Sequence, residues 1–125
     1  MGTRREGFDF ERMDVYRRAL KLAVAADRLS LAFTGVRRHL GWQLHRAATS
    51  ILLNIAEGSG RYRKLDKAQF YVIATGSAME CAAILDLADR LHVGSTDQRA
   101  RMRSDVEAVA SMLIRLTRAV RESTR

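Results

Sequence analysis

The sequence predicts an all-α protein, a single antiparallel up-down-up-down four-helix bundle spanning residues 1–125. Three observations carry this. Proline is absent and alanine, leucine and arginine dominate, a composition that favours long uninterrupted helices over sheet. Apolar residues recur at three- and four-residue steps in four stretches, at about residues 10–33, 37–57, 66–92 and 96–121. Only a few residues join the stretches, and short connections force consecutive helices to lie antiparallel. At 125 residues the chain can bury one core with little to spare.

Taken in order, Asp9 is placed to cap the first helix, with Phe8 packing on Met13 to fix its entry. Val15, Ala19, Leu22, Ala26, Leu29 and Phe33 form its buried stripe, widened by Met13, Tyr16, Leu20 and Ala23. Arg17, Arg18, Lys21 and Arg28 lie mainly on the other side, with Asp14 one turn from Arg18. Thr34 and Gly35 break the pattern, and helix two starts near Arg37. Leu40, Leu44, Ala47, Ile51 and Ile55 make its apolar face; Gly58 stops it and Gly60 frees the turn. Asp66 and Gln69 have capping-box spacing and open helix three, which carries Phe70, Ala74, Ser77 and Cys81 back to about His92. Ser95 and Gln98 repeat that spacing before helix four. There Met102, Val106, Val109, Leu113, Leu116 and Val120 give the cleanest heptad, surrounded by Arg99, Arg101, Arg103, Arg115, Arg118 and Arg121. Residues 1–7 and 122–125 are expected to fray.

A polar stripe runs beside the apolar face of helix two. With the turn centred near Arg63, helices two and three pair residues whose numbers sum to roughly 126. Arg46 then faces Glu80, and Ser50 faces Gly76 and Ser77. The expectation is a polar seam of Gln43, Arg46, Ser50, Asn54, Glu57, Ser77 and Glu80, with an Arg46–Glu80 ion pair and a hydrogen bond from Ser50. The small residues Ala74, Gly76 and Ser77 let the two backbones approach. On this reading Glu80→Ala destabilises more than Asp86→Ala, because it strands a buried charge. Glu57 ends a helix, where negative charge opposes the dipole, so Arg61 or a backbone amide of helix three should compensate it.

The chain carries 22 basic and 14 acidic residues, a net charge of +8, and its only lysines are Lys21, Lys64 and Lys67. Arginine suits bidentate contacts with phosphate, although a GC-rich genome produces the same bias. Two clusters stand out: Arg37 with Arg38, and Arg61, Arg63, Lys64 and Lys67 around Tyr62. By chain direction they lie at opposite ends of the bundle. Arg37 and Arg38 also oppose the macrodipole at a helix start, so they either serve a partner or are simply solvated at a small cost to folding. The leading functional reading is nucleic-acid binding, to structured RNA foremost, through Arg37, Arg38, Arg61, Tyr62, Arg63, Lys64 and Lys67. Tyr62 either stacks on an unpaired base or packs across its loop. On this reading the partner is RNA or DNA; the alternative is a protein-interaction scaffold or accessory subunit whose basic face meets an acidic protein.

Catalysis finds little support. Di-iron bundles need paired Glu-x-x-His elements on facing helices, and the nearest approach is a lone Asp89-x-x-His92. His39, His45 and His92 share no spacing, Cys81 falls on an apolar face, and Gly58-Ser59-Gly60 terminates a helix, so neither metal nor cofactor is expected. A single cysteine excludes an intrachain disulfide and fits a reducing cytoplasm. The charged N-terminus lacks a leader's apolar region, and the longest uncharged run, Ala68 to Met79, falls short of the ~20 residues a span needs, so no membrane partner is expected. Trp42, Tyr71 and Met112 lie at the edges of the apolar stripes, an indication of self-association.

Gln43-Leu44-His45-Arg46-Ala47-Ala48-Thr49-Ser50-Ile51 and Asn54-Ile55-Ala56-Glu57-Gly58 together resemble the signature of the four-helix-bundle proteins encoded in 23S rRNA intervening sequences. The likeness continues through Gly60-Arg61, Phe70, Ile73-Ala74, Gly76-Ser77 and Glu80, with Phe8 and Val15-Tyr16-Arg17-Arg18-Ala19 similar to the family's opening helix. The proline usual between helices one and two is missing. The resemblance implies a ring-shaped homo-oligomer, a pentamer foremost, without an assigned biochemical activity. A related member, the accessory protein of diversity-generating retroelements, is a basic pentamer that associates with reverse transcriptase and nucleic acid, so a reverse transcriptase joins the partners that the resemblance implies.

Overall fold

In a computed structural model, residues 7–123 are described; the fraying expected of residues 1–6, 124 and 125 lies outside them. The chain forms α1 Asp14–Ser30, α2 Arg38–Ser59, α3 Lys64–Leu91 and α4 Thr96–Glu122, with no strand among the described residues. Each helix packs on two neighbours in the cycle α1–α2–α3–α4–α1, which gives the four-helix bundle expected. One end gathers the α1–α2 turn and the α3–α4 turn; the other gathers the α2–α3 turn and the C-terminus of α4.

Leu22, Leu29, Leu44, Ile51, Ile55, Leu85, Met102 and Leu113 fill the centre, separated by buried alanines such as Ala26, Ala48, Ala78 and Ala88 that bring the helices close. Tyr71 departs from expectation. Rather than edging a stripe, it is 2% exposed and among the largest side chains in the core. Its neighbour across the bundle explains why. A Cβ on Gly58 would come within 2.9 Å of the Tyr71 ring, so the absent side chain makes the phenol's space. Gly58 therefore does not stop α2, which continues to Ser59 and ends at Gly60 with ordinary right-handed geometry.

The helix ends show other differences. α1 begins at Asp14 rather than near residue 10, because Met13 is extended and Asp9–Arg12 forms a separate 3-10 turn. Phe8 does not pack on Met13; it is exposed and stacks on Phe10, while its N–H donates to the Glu11 carboxylate at 2.7 Å. α1 closes at Ser30, and Phe33 folds back against α2 beside Gly41. α3 starts at Lys64, ahead of Asp66, which lies in the first turn instead of capping it. The Ser95–Gln98 capping box forms as expected, with Gln98 N–H donating to Ser95 Oγ at 3.0 Å.

Among the described residues, two charged ones are buried. Asp105 on α4 accepts from Arg18 Nε of α1 at 2.8 Å and lies 3.8 Å from Lys21 Nζ. Arg99 does not sit outside the α4 seam. It donates to Asp89 at 2.5 Å and to the carbonyls of Val93 and Gly94 at 2.8 and 2.6 Å, binding the α3–α4 turn to α4. Among the described residues, no buried side-chain polar atom lacks a hydrogen-bond partner.

α3 is apolar almost all round. By length and composition alone it could cross a bilayer, although its longest uncharged run is short. One face is bundle core; the other exposes Val72, Ile73, Met79 and Leu87.

Candidate nucleic-acid interface

The polar seam contracts to its middle. Ser50 Oγ and Ser77 Oγ are 2.8 Å apart, and Asn54 Nδ2 donates to the Ser50 carbonyl at 2.8 Å and to Ser50 Oγ at 3.1 Å. This is the register the spacing predicts. Arg46 and Glu80 do not form the expected ion pair, and Gln43 is exposed beside them. Both charges lie outside the α2–α3 contact, where holding two long side chains together in water gains little. The expected order of destabilisation loses its basis, because Glu80 has no ion pair among the described residues while Asp86 pairs with Arg103 of α4. Gly76 does not contribute to the α2–α3 approach, since a Cβ there meets nothing within 4 Å.

At the α2–α3 end the predicted basic residues divide into two groups. Arg61 donates to Glu57 at 2.7 Å, the compensation expected for that carboxylate, and its guanidinium lies 4.7 Å from the Phe70 ring centroid. Lys67 Nζ donates to the carbonyls of Gly58 and Ser59 at 3.0 Å each, satisfying the end of α2. Partial burial lowers its pKa below the usual lysine range. These two side chains brace the turn. Lys64 Nζ reaches the Ser123 carbonyl at 2.8 Å and tethers the end of α4. Arg63 points outward, only loosely associated with Asp66 at 3.7 Å, and Tyr62 is 99% exposed, so packing across the loop is excluded.

At the other end Arg37 donates to the Leu91 carbonyl at 3.4 Å, so the charge that opposes one helix start meets the negative end of α3. Arg38 has neither an ion pair nor a hydrogen bond among the described residues.

A third basic surface was not legible from the clusters. Lys21 and Arg28 of α1 face Arg101 of α4 across a groove of about 530 Å³ floored by Met102 and Asp105. The signal was present in the basic side of α1, but it gains meaning only once α1 and α4 are known to be neighbours.

The fold and these surfaces define a basic four-helix bundle with cations at both ends and along one groove. Residues 11–115 match the 23S rRNA-intervening sequence proteins, and the chain belongs to that family. It is similar in structure to a protein of unknown function from the S23 ribosomal protein family of Bacteroides thetaiotaomicron, with a TM-score of 0.76. At 24% identity, over 82% of this chain and 97% of that one, the likeness bears on the fold. No curated protein sequence matches the chain.

Proposed function

We propose that this is a non-enzymatic cytoplasmic protein that binds nucleic acid, structured RNA foremost, through basic surfaces repeated around a homo-oligomer. The observation that supports this most is where the outward cations lie: Arg38 at one end, Arg63 beside Tyr62 at the other, and the Lys21–Arg28–Arg101 groove between. Each phosphate neutralised releases counterions, and repetition of the surface in an oligomer adds avidity. Anisotropy of a labelled RNA hairpin at low salt tests the reading. Arg38→Glu with Arg63→Glu weakens binding at least about tenfold, since each phosphate contact contributes to the electrostatic term. Failure of the unaltered protein to bind at low salt overturns it.

Self-association uses the outer face of α3, where Val72, Ile73, Met79 and Leu87 surround the bare helix surface at Gly76. Light scattering should give a multiple of the 14.1 kDa of one chain, fivefold for a pentameric ring; a mass of one chain contradicts it. The runner-up is an accessory subunit whose basic surfaces dock on a reverse transcriptase or another acidic protein. A protein that purifies free of nucleic acid and binds none favours that reading.

A further inference from the structure

Trp42 belongs to a different stripe of α2 from the core residues. Arg38, Trp42 and His45 follow one another at four- and three-residue steps along the same side of the helix. The α1–α2 turn rises opposite them, and between lies a cleft of about 510 Å³, within the range of small-ligand sites. Phe33 forms its buried floor, Leu31 stands exposed on the far wall, and Trp42 is 74% exposed.

The cleft has fixed walls. A Cβ on Gly41 would lie 2.5 Å from the Ser30 carbonyl, so the end of α1 rests directly on the α2 backbone. Gly35, which also lines the cleft, turns the chain with φ +61, a left-handed conformation that favours glycine. His45 Nε2 is 3.2 Å from Asp27, which orients the imidazole at the inner end and occupies the nearby carboxylate. Arg38 at the outer end has no ion pair or hydrogen bond among the described residues.

An exposed indole forgoes the burial by which large aromatics stabilise a fold. Beside it is a guanidinium whose planar donors suit phosphate. We infer that Trp42 and Arg38 form a subsite for one unpaired nucleotide of a nucleic-acid strand, the base stacking on the indole and the adjacent phosphate meeting Arg38. The inference rests on the nucleic-acid reading and adds a preference for unpaired bases, which general basic surfaces do not provide.

Trp42 is the chain's single tryptophan beside three tyrosines, so indole emission, excited beyond the tyrosine absorption band, reports on this cleft alone. Three probes are titrated: a short oligouridylate, a blunt RNA duplex and uridine monophosphate, with binding followed independently by anisotropy of labelled strands. Oligouridylate should quench Trp42 emission saturably, and the duplex should bind without quenching. Trp42→Leu should weaken oligouridylate by about tenfold, within the worth of one stacked base, and leave duplex affinity unchanged. An unchanged thermal melt shows that the exposed substitution leaves the fold intact. Binding of both strands with unaltered emission overturns the subsite and leaves the general reading standing; binding of neither overturns both. Equal quenching by the mononucleotide overturns the assignment to a strand. A changed oligomeric mass in Trp42→Leu, with oligouridylate affinity intact, gives the cleft to a second copy and also overturns it.

Discussion

Replacing Arg18 with alanine should destabilise the bundle by about 3 kcal/mol, the lower end of the cost of orphaning a buried charge. The Asp105 side chain is 5% exposed, and Arg18 supplies its direct hydrogen bond. Lys21, 3.8 Å away and mostly in water, compensates only in part, which sets the value at the lower end. For a chain of this size the melting temperature should fall by roughly 10 °C. The comparison that identifies the cause is the double variant Arg18→Met with Asp105→Leu. It removes both charges and keeps apolar volume, and should recover most of the loss, because a buried ion pair contributes little beyond a hydrophobic pair of similar size. Arg12→Ala, which breaks the exposed pair with Asp9, should leave the melt where it is. If Arg18→Ala behaves like Arg12→Ala, Asp105 is not the buried charge described.

The second large effect is alkaline. Burial, with the charge of Glu80 adding to it, pushes the Cys81 thiol from 9.0 up to about 12, and burial raises the Tyr71 phenol as well. Both groups stay neutral in the fold and ionise more readily in the unfolded chain. The unfolded state therefore holds fewer protons above pH 9, and stability must fall as pH rises from there towards 12. Below pH 9 the contribution is fully present. The loss attributable to Cys81 over that window is on the order of 4 kcal/mol. Lys67, whose pKa is lowered, acts in the opposite sense in the same range. Comparison with Cys81→Ala cancels that contribution. Urea denaturation of both proteins at stepped pH should show curves that converge as pH rises, because the variant lacks the titrating thiol. Parallel curves would show that the thiol is not buried as described.

What could be read from the sequence was what depends on local or periodic relations. The Ser95–Gln98 box needs only three-residue spacing, and the Ser50–Ser77 contact follows from two helical repeats folded about one turn. What could not be read depends on convergence. Arg99 looks like the other arginines of α4 until the carbonyls of Val93 and Gly94 close around it. Tyr71 lies on a helix apolar almost all round, so no stripe has a definable centre, and its burial depends on a missing side chain at Gly58. The basic clusters were visible as clusters. Sequence does not reveal that Arg61 and Lys67 are committed to Glu57 and the end of α2 while Arg38 and Tyr62 face water. The repeat of α2 places Trp42 at the edge of an apolar stripe, but the cleft it shares with Leu31 depends on the path of the α1–α2 turn, which periodicity does not give.

The salt dependence of RNA binding tests the central claim most directly. With four or more phosphates neutralised, affinity should fall by about two orders of magnitude between about 50 and 200 mM salt, linearly on a double-logarithmic plot. Affinity indifferent to salt, or no binding at the lowest salt, would contradict the account.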